Sequence, residues 1–342
     1  CLQARHQGQR NVNDSICSPL VYSMLVAVNA LIIVAAVAAA ASTPSVFTPS
    51  PPPPSCTSAM ALRSLGKVAT LKSNQMGPGF SAYRLDTKHL PRLDPLMSID
   101  WFSMAEPFFR PHPHAGFCAV TYIFPESPGG FLNRDSTGRK DQQKPGELYW
   151  TTAGSGVVHE ERPFTAGTPG DGLQLFINLP SHLKTTAPRV QHLTNDKIAE
   201  QALPGGGKVR VLVGQHGEHT APIEPPHPFH LLDVRLPKGA TFRHTLPGGW
   251  NGAALVVRGG VAVAGENGGR LRGEQAAELV GVGDVQLEGV ADEESQMVLL
   301  AGPPTNEPPV WYGPFCGSSM QQVEGWIRDF QAGKMGALDA SF

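Results

Sequence analysis

Two short histidine-bearing segments could carry chemistry. His112-Pro113-His114 sets two imidazoles at i and i+2, a spacing that puts both on one face of an extended strand. His159-Glu160-Glu161 sets an imidazole and a carboxylate at the same spacing, with Glu160 turned to the other side. If both strands line one interior, His112, His114, His159 and Glu161 form a set of three neutral imidazoles and one carboxylate. Such a set suits a borderline divalent metal and leaves positions open in an octahedral shell. The related arrangement of two histidines and one carboxylate holds Fe(II) with room for dioxygen and substrate. The same four ligands would equally close a tetrahedral zinc site. Parity selects Glu161 over Glu160 as the carboxylate ligand, and leaves Glu160 on the outer wall, solvated or beside a cation such as Arg162 or another basic residue.

Other reactive residues give weaker patterns. His216-Gly-Glu-His219 and His227-Pro-Phe-His230 sit in Gly- and Pro-rich stretches without an i, i+2 pair. They read as loop residues, and the second half of the chain is expected to hold no metal. Cys118, counted onward from His114 with strand parity, is expected to face inward near the metal and to be oxidation-sensitive. Ser155 in Ala153-Gly-Ser-Gly156 only partly matches a nucleophile elbow, and no helix follows it. No Gly-rich phosphate loop is present: Gly146-Glu147 and Gly77-Pro-Gly79 read as turns.

The elements that must position the histidines read as strands and turns. Cys118 to Phe124 is rich in β-formers and bounded by Pro125 and Pro128. Further strands are expected over 147–152, 157–161 and 173–179, and then, after a connector over 180–188, over 208–213, 230–236, 253–257, 260–264 and 295–301. Short strands at this spacing, twice over, imply an all-β chain of two barrels or sandwiches. One helix is expected near the C-terminus, where Val323, Trp326, Ile327 and Phe330 make an apolar stripe. Ser319 and Gln322 fit a capping box there, and Gly333 fits the C-terminal cap. The helix is expected to close a barrel edge.

The 342 residues suffice for two domains. Lys+Arg at 27 against Asp+Glu at 29 leaves no excess charge to hold nucleic acid directly. The five cysteines make no disulfide framework in a chain of this size, so a reduced state is expected. Residues 1–65 read as a leader. Met24 to Ala41 is apolar apart from Asn29, ends in small residues and precedes a Pro51-Pro-Pro-Pro54 tract. It is expected to be a targeting segment or upstream sequence ahead of a start at Met60. The folded domains are expected over 66–190, holding the metal, and 191–342, metal-free with the terminal helix.

Several separated motifs, in order, resemble the pirin family of bicupins. They are Asp94-Pro-Leu-Met-Ser-Ile-Asp-Trp-Phe102, His112-Pro-His-Ala-Gly-Phe117, and Pro145-Gly-Glu-Leu-Tyr-Trp-Thr-Thr-Ala-Gly-Ser-Gly-Val-Val-His-Glu-Glu161. Gly172 to Pro180, Asn306-Glu-Pro308 and Tyr312-Gly-Pro-Phe315 continue the likeness. The resemblance implies two cupin (jelly-roll) β-barrels face to face, with Fe(II), or another divalent transition metal, on His112, His114, His159 and Glu161. It implies a dioxygenase of the quercetin 2,3-dioxygenase kind, which opens the heterocyclic ring of flavonols with dioxygen and releases carbon monoxide. Glu161 is expected to serve also as the catalytic proton acceptor. The alternative that the resemblance carries is an iron-dependent nuclear co-regulator that binds transcription factors without turnover. A monomer is expected, in the cytoplasm or nucleus, or in an organelle or the secretory pathway if the leader is used. The chain departs from the family pattern at Ala115 (usually Arg), at Cys118-Ala119 (usually Glu-Thr) and at Asn133 (usually His).

Overall fold

A computed structural model describes residues 61–338, so the leader expected over 1–65 lies almost wholly outside the described residues. Two large sheets of seven strands and two of four strands carry the fold. In the first half, Arg189–Leu193, Leu148–Thr152, Phe117–Ile123, Gly170–Asn178, Leu96–Met104, Phe80–Asp86 and Ser73–Gly77 lie side by side in that order. Opposite them stand His112–His114, Val157–Pro163, Phe131–Asp135 and Lys140–Gln143. The second half repeats the pattern strand for strand. Its large sheet runs Ser64–Thr70, Gln275–Val280, Asn251–Arg258, Ser295–Gly302, His230–Leu236, Lys208–Val213, Ala199–Ala202, and its small sheet Thr241–Leu246, Gly283–Gly289, Gly260–Val263, Gly269–Arg272. Among the described residues no helix is long and apolar enough to cross a membrane.

The large sheets pack against one another. Every residue of Phe117–Ile123 is buried, because one face meets the partner barrel and the other meets its own lumen. Cys118, Val120 and Tyr122 join Leu231, Leu255, Val298 and Leu300 in one core between the sheets. Across that core the Tyr122 hydroxyl donates to Asp233 at 2.7 Å and accepts from Arg210 at 2.9 Å. These bonds satisfy a polar group that the interface would otherwise strand. A strand of the small sheet reads differently: Thr241–Leu246 alternates, with Phe242, His244 and Leu246 buried and Arg243 and Thr245 exposed.

The domain boundaries differ from expectation in three respects. Ser64–Thr70 pairs with Gln275–Val280 of the second barrel, although it precedes the first in sequence. A boundary at 190/191 would cut Arg189–Leu193, which pairs with Leu148–Thr152 and completes the first large sheet. Each of these strands covers an open sheet edge, and covering an edge places little demand on a strand's composition. The C-terminal arm leaves the second barrel and returns to the first. Its hairpin, Val310–Tyr312 with Phe315–Gly317, docks through a Cys316 N–H bond to the Ala115 carbonyl at 3.0 Å. Helix α1 (Met320–Gln331) follows. The Ser319 hydroxyl caps it by accepting from the Gln322 N–H, while the Gln322 side chain accepts from the Ser318 N–H.

The arm is fastened by apolar packing and one buried cation. Phe315, Val323, Trp326 and Met335 cluster with Ala115 and Val158 of the first barrel. Lys184, 1% exposed, donates to the carbonyls of Gly116 at 2.8 Å and Cys316 at 3.0 Å and to Asn178 Oδ1 at 2.6 Å. Its three ammonium hydrogens thus have three acceptors. Gly116 is needed for this approach: its φ is +85°, and a Cβ would fall 2.0 Å from the Cys316 carbonyl oxygen. Trp326→Ala should lower stability by about 3–5 kcal/mol through the cavity it leaves, read as a drop in the urea midpoint. A loss below about 1 kcal/mol would mean that the helix is not docked as described.

Candidate metal centre

The three histidines come together as parity requires. His159 lies opposite His112, and Val157 opposite His114, on paired antiparallel strands. The ring centroids are 4.5 Å apart for His112 and His159, and 4.8 Å for each of the other two pairs. The Nε2 atoms of His112 and His159 stand 3.0 Å apart. One ligand nitrogen from each histidine can be chosen so that all lie within 4.8 Å of one another. His112 Nδ1 bonds the Arg110 carbonyl at 2.8 Å. That bond makes Nδ1 the protonated nitrogen and leaves the Nε2 lone pair free.

Burial holds these imidazoles neutral. It lowers the pKa of His112, and those of His114 and His159 well below the usual value, with neighbouring His112 adding to the effect on both. Neutral, convergent nitrogens form a donor set that fits a borderline divalent cation.

Glu161 shares the face of His159 but is turned from the cluster. Thr121 Oγ1 lies 2.6 Å from Glu161 Oε1 and 2.7 Å from Gln174 Oε1. One hydroxyl hydrogen cannot serve two acceptors, so a proton on Glu161 or a reversed Gln174 amide completes the pair. Burial pushes the Glu161 carboxyl up to about 6, against the Thr121 bond. Thr121 and Gln174 were not found from sequence. Strand parity from Phe117 would have put Thr121 on the lumen face, and the register then aligns Gln174 with it. Glu160 points the other way and pairs with Arg134 at 2.7 Å. Asn133, one of the departures, sits opposite Glu161 and donates to Gln143 at 3.2 Å.

Two expectations are corrected. Cys118 does not face the imidazoles. The chain turns at Ala115-Gly116 between two separate strands, so parity restarts, and Phe117 is the residue beside His114, with ring centroids 5.0 Å apart. Cys118 is 1% exposed in the core between the sheets, and burial pushes its thiol up to about 12. A thiol so placed carries almost no thiolate. His216 and His230 are not loop residues: both are buried, on strands. His244 joins them, its Nδ1 3.1 Å from His216 Nδ1 and its Nε2 3.0 Å from His230 Nδ1. The alternation of Phe242, His244 and Leu246 was the signal for it.

The repeat shows how the barrels diverge. His114 opposite Val157 corresponds to His244 opposite Val285. In that register Phe242 stands where His112 does, Leu287 where His159 does and Gly289 where Glu161 does. One histidine of the set persists in the second barrel, and apolar side chains or glycine fill the other positions.

Two cupin barrels of this topology, packed through their large sheets, define a bicupin. The comparisons make the assignment narrower. Residues 84–177 match the model "Pirin", and residues 231–336 match "Pirin C-terminal cupin domain". A pirin-like protein of Caulobacter vibrioides is 34% identical over 283 residues, 80% of this chain and 100% of the relative. Human pirin is 32% identical over 249 residues, 72% of this chain and 84% of the relative. A solved structure of quercetin 2,3-dioxygenase from Acinetobacter baumannii superposes with a TM-score of 0.71 at 30% identity, covering 82% of this chain and all of that one. The chain belongs to the pirin family.

The buried histidines give a pH prediction. Burial, with neighbouring imidazoles adding, lowers His230 to about 4 and His244 to about 3, both below the ordinary 6.5. As pH falls the unfolded chain takes up these protons first, so stability present above about 6.5 is lost towards about 4. The urea midpoint of metal-free protein should therefore fall between about pH 7 and pH 5, and His244→Gln should flatten part of the decline. A midpoint that stays constant over that range would contradict the burial of neutral imidazoles.

Proposed function

We propose that the chain is a metal-dependent dioxygenase acting on flavonols such as quercetin, with His112, His114 and His159 holding Fe(II). The convergence of three neutral imidazole nitrogens beside a separately held carboxylate carries this reading. The likeness to a structure named as quercetin 2,3-dioxygenase supports it. Bound there, Fe(II) would supply open positions for a substrate oxygen and for dioxygen.

The remaining roles belong to the chain's own side chains. Glu161, on the metal face but bonded to Thr121, is placed to take the proton that a flavonol hydroxyl gives up. Thr121, itself in contact with Gln174, holds that carboxyl from the opposite wall. Exposed aromatic rings stand near the histidines. Phe109, 42% exposed, lies 5.9 Å from the His112 ring. Trp311, 38% exposed on the C-terminal arm, lies 5.2 Å from Phe117, which packs on His114. Such rings suit a flat polyphenol.

The test is anaerobic loading with Fe(II), followed by oxygen-electrode measurement with flavonols. His159→Ala should lose both metal and oxygen uptake. Glu161→Gln should lose at least about tenfold in turnover. Glu160→Gln should stay active but less stable, because the buried Arg134–Glu160 ion pair is broken. Trp311→Ala should raise KM more than it lowers kcat. Fully loaded protein that consumes no oxygen with any of several flavonols would favour the co-regulator reading, in which the exposed aromatics meet a transcription factor.

A further inference from the structure

A cavity of about 340 Å³ opens between the barrels and is not lined by the three imidazoles. Its floor is the partner-facing side of the first large sheet. Ser81, Ser103 and Asp171 form one row across neighbouring strands, and Tyr83, Trp101 and Leu173 form the next. Tyr83 stacks on Trp101 with centroids 4.6 Å apart, and Phe124 meets Trp101 edge-on at 6.4 Å. Val257, Arg258 and Gln296 line it from the second barrel. The volume is in the range of small-ligand sites, roughly 300–1,000 Å³.

The charges around the cavity do not balance. Arg235 forms two hydrogen bonds to Glu126, which lines the cavity, and also lies 3.5 Å from Asp233. Arg258 pairs with Glu294 at 3.1 Å. Asp171 has no ion-pair partner among the described residues, and its Oδ1 is buried with no hydrogen-bond partner. Among the residues that line the cavity, Arg258 thus stands against Glu126 and Asp171. A buried carboxylate oxygen without a partner is costly, and a cation beside it would relieve that cost. Faces of Trp and Tyr attract the same cation.

We propose that the cavity between the barrels binds an organic ammonium carried on an aromatic ring, with the charge at Asp171 and the ring against Tyr83 and Trp101. This site is separate from the three imidazoles, and its occupation does not depend on the metal.

Calorimetric titration of the full chain, both metal-stripped and metal-loaded, with tyramine and with uncharged 4-ethylphenol tests it. Tyramine should saturate one site in both preparations, bind about tenfold more tightly than 4-ethylphenol, and weaken as salt is raised. Asp171→Asn should bring tyramine down to the level of the phenol, and Trp101→Ala should weaken both ligands. Thermal midpoints show whether each variant is folded. If neither variant folds, the comparison of charged and uncharged ring on the natural chain decides. Absence of saturable tyramine binding, equal affinity for the two rings, or unchanged tyramine affinity in folded Asp171→Asn overturns the proposal.

Discussion

The packing of one large sheet against the other sets what each strand residue can do. A strand offers two faces, and in Phe117–Ile123 neither is left to solvent. One face, with Cys118, Val120 and Tyr122, belongs to the core between the barrels. The other carries Phe117 against His114 and Thr121 against Glu161. A slip of one residue would exchange the two sets, burying a threonine in the interface and moving the Tyr122 hydroxyl away from Asp233. The site is therefore specified by the interface behind it.

That division explains what the sequence made legible. A strand dense in aromatic and β-branched residues, such as Phe117–Ile123, announces itself because both faces need apolar cover. Lys140–Gln143, all polar and partly exposed, gives no such pattern and is held by pairing and by the side-chain hydrogen bonds of Gln143 and Asp141. The two pairs His112/His114 and His159/Glu161 were legible because i, i+2 spacing within one strand needs no tertiary knowledge. Cys118 was misplaced because parity was carried across Ala115-Gly116, where a left-handed glycine ends one strand before the next begins. His244 was legible in principle from its alternating neighbours, but its partners come from distant strands.

The two barrels show one frame holding two interiors. Their small sheets pair in matching registers, yet His112, His159 and Glu161 have Phe242, Leu287 and Gly289 as counterparts. In the second barrel His244 bonds His216 and His230, so each buried imidazole finds a polar partner. The equivalent space in the first barrel holds three convergent imidazoles, with the Nε2 atoms of His112 and His159 3.0 Å apart. A cation held by the three histidines would organise these rings, as their mutual hydrogen bonds organise those of the second barrel.

The C-terminal arm ties the second barrel to the chemistry of the first. It leaves the second barrel after Ser295–Gly302, crosses to the first, and bonds at Ala115, the residue directly after His114. Lys184 then gathers Gly116, Asn178 and Cys316, so the turn after the histidines, the strand of Phe176 and the arm share one buried ammonium. Trp311 is carried on this fastened hairpin and packs against Phe117 and Phe176 while 38% exposed. Ala115 is fully buried and packs with Phe315 and Trp326. The turn after His114 and the docked arm are thus one packing arrangement, and it carries Trp311 to within 5.2 Å of the Phe117 ring that lies beside His114.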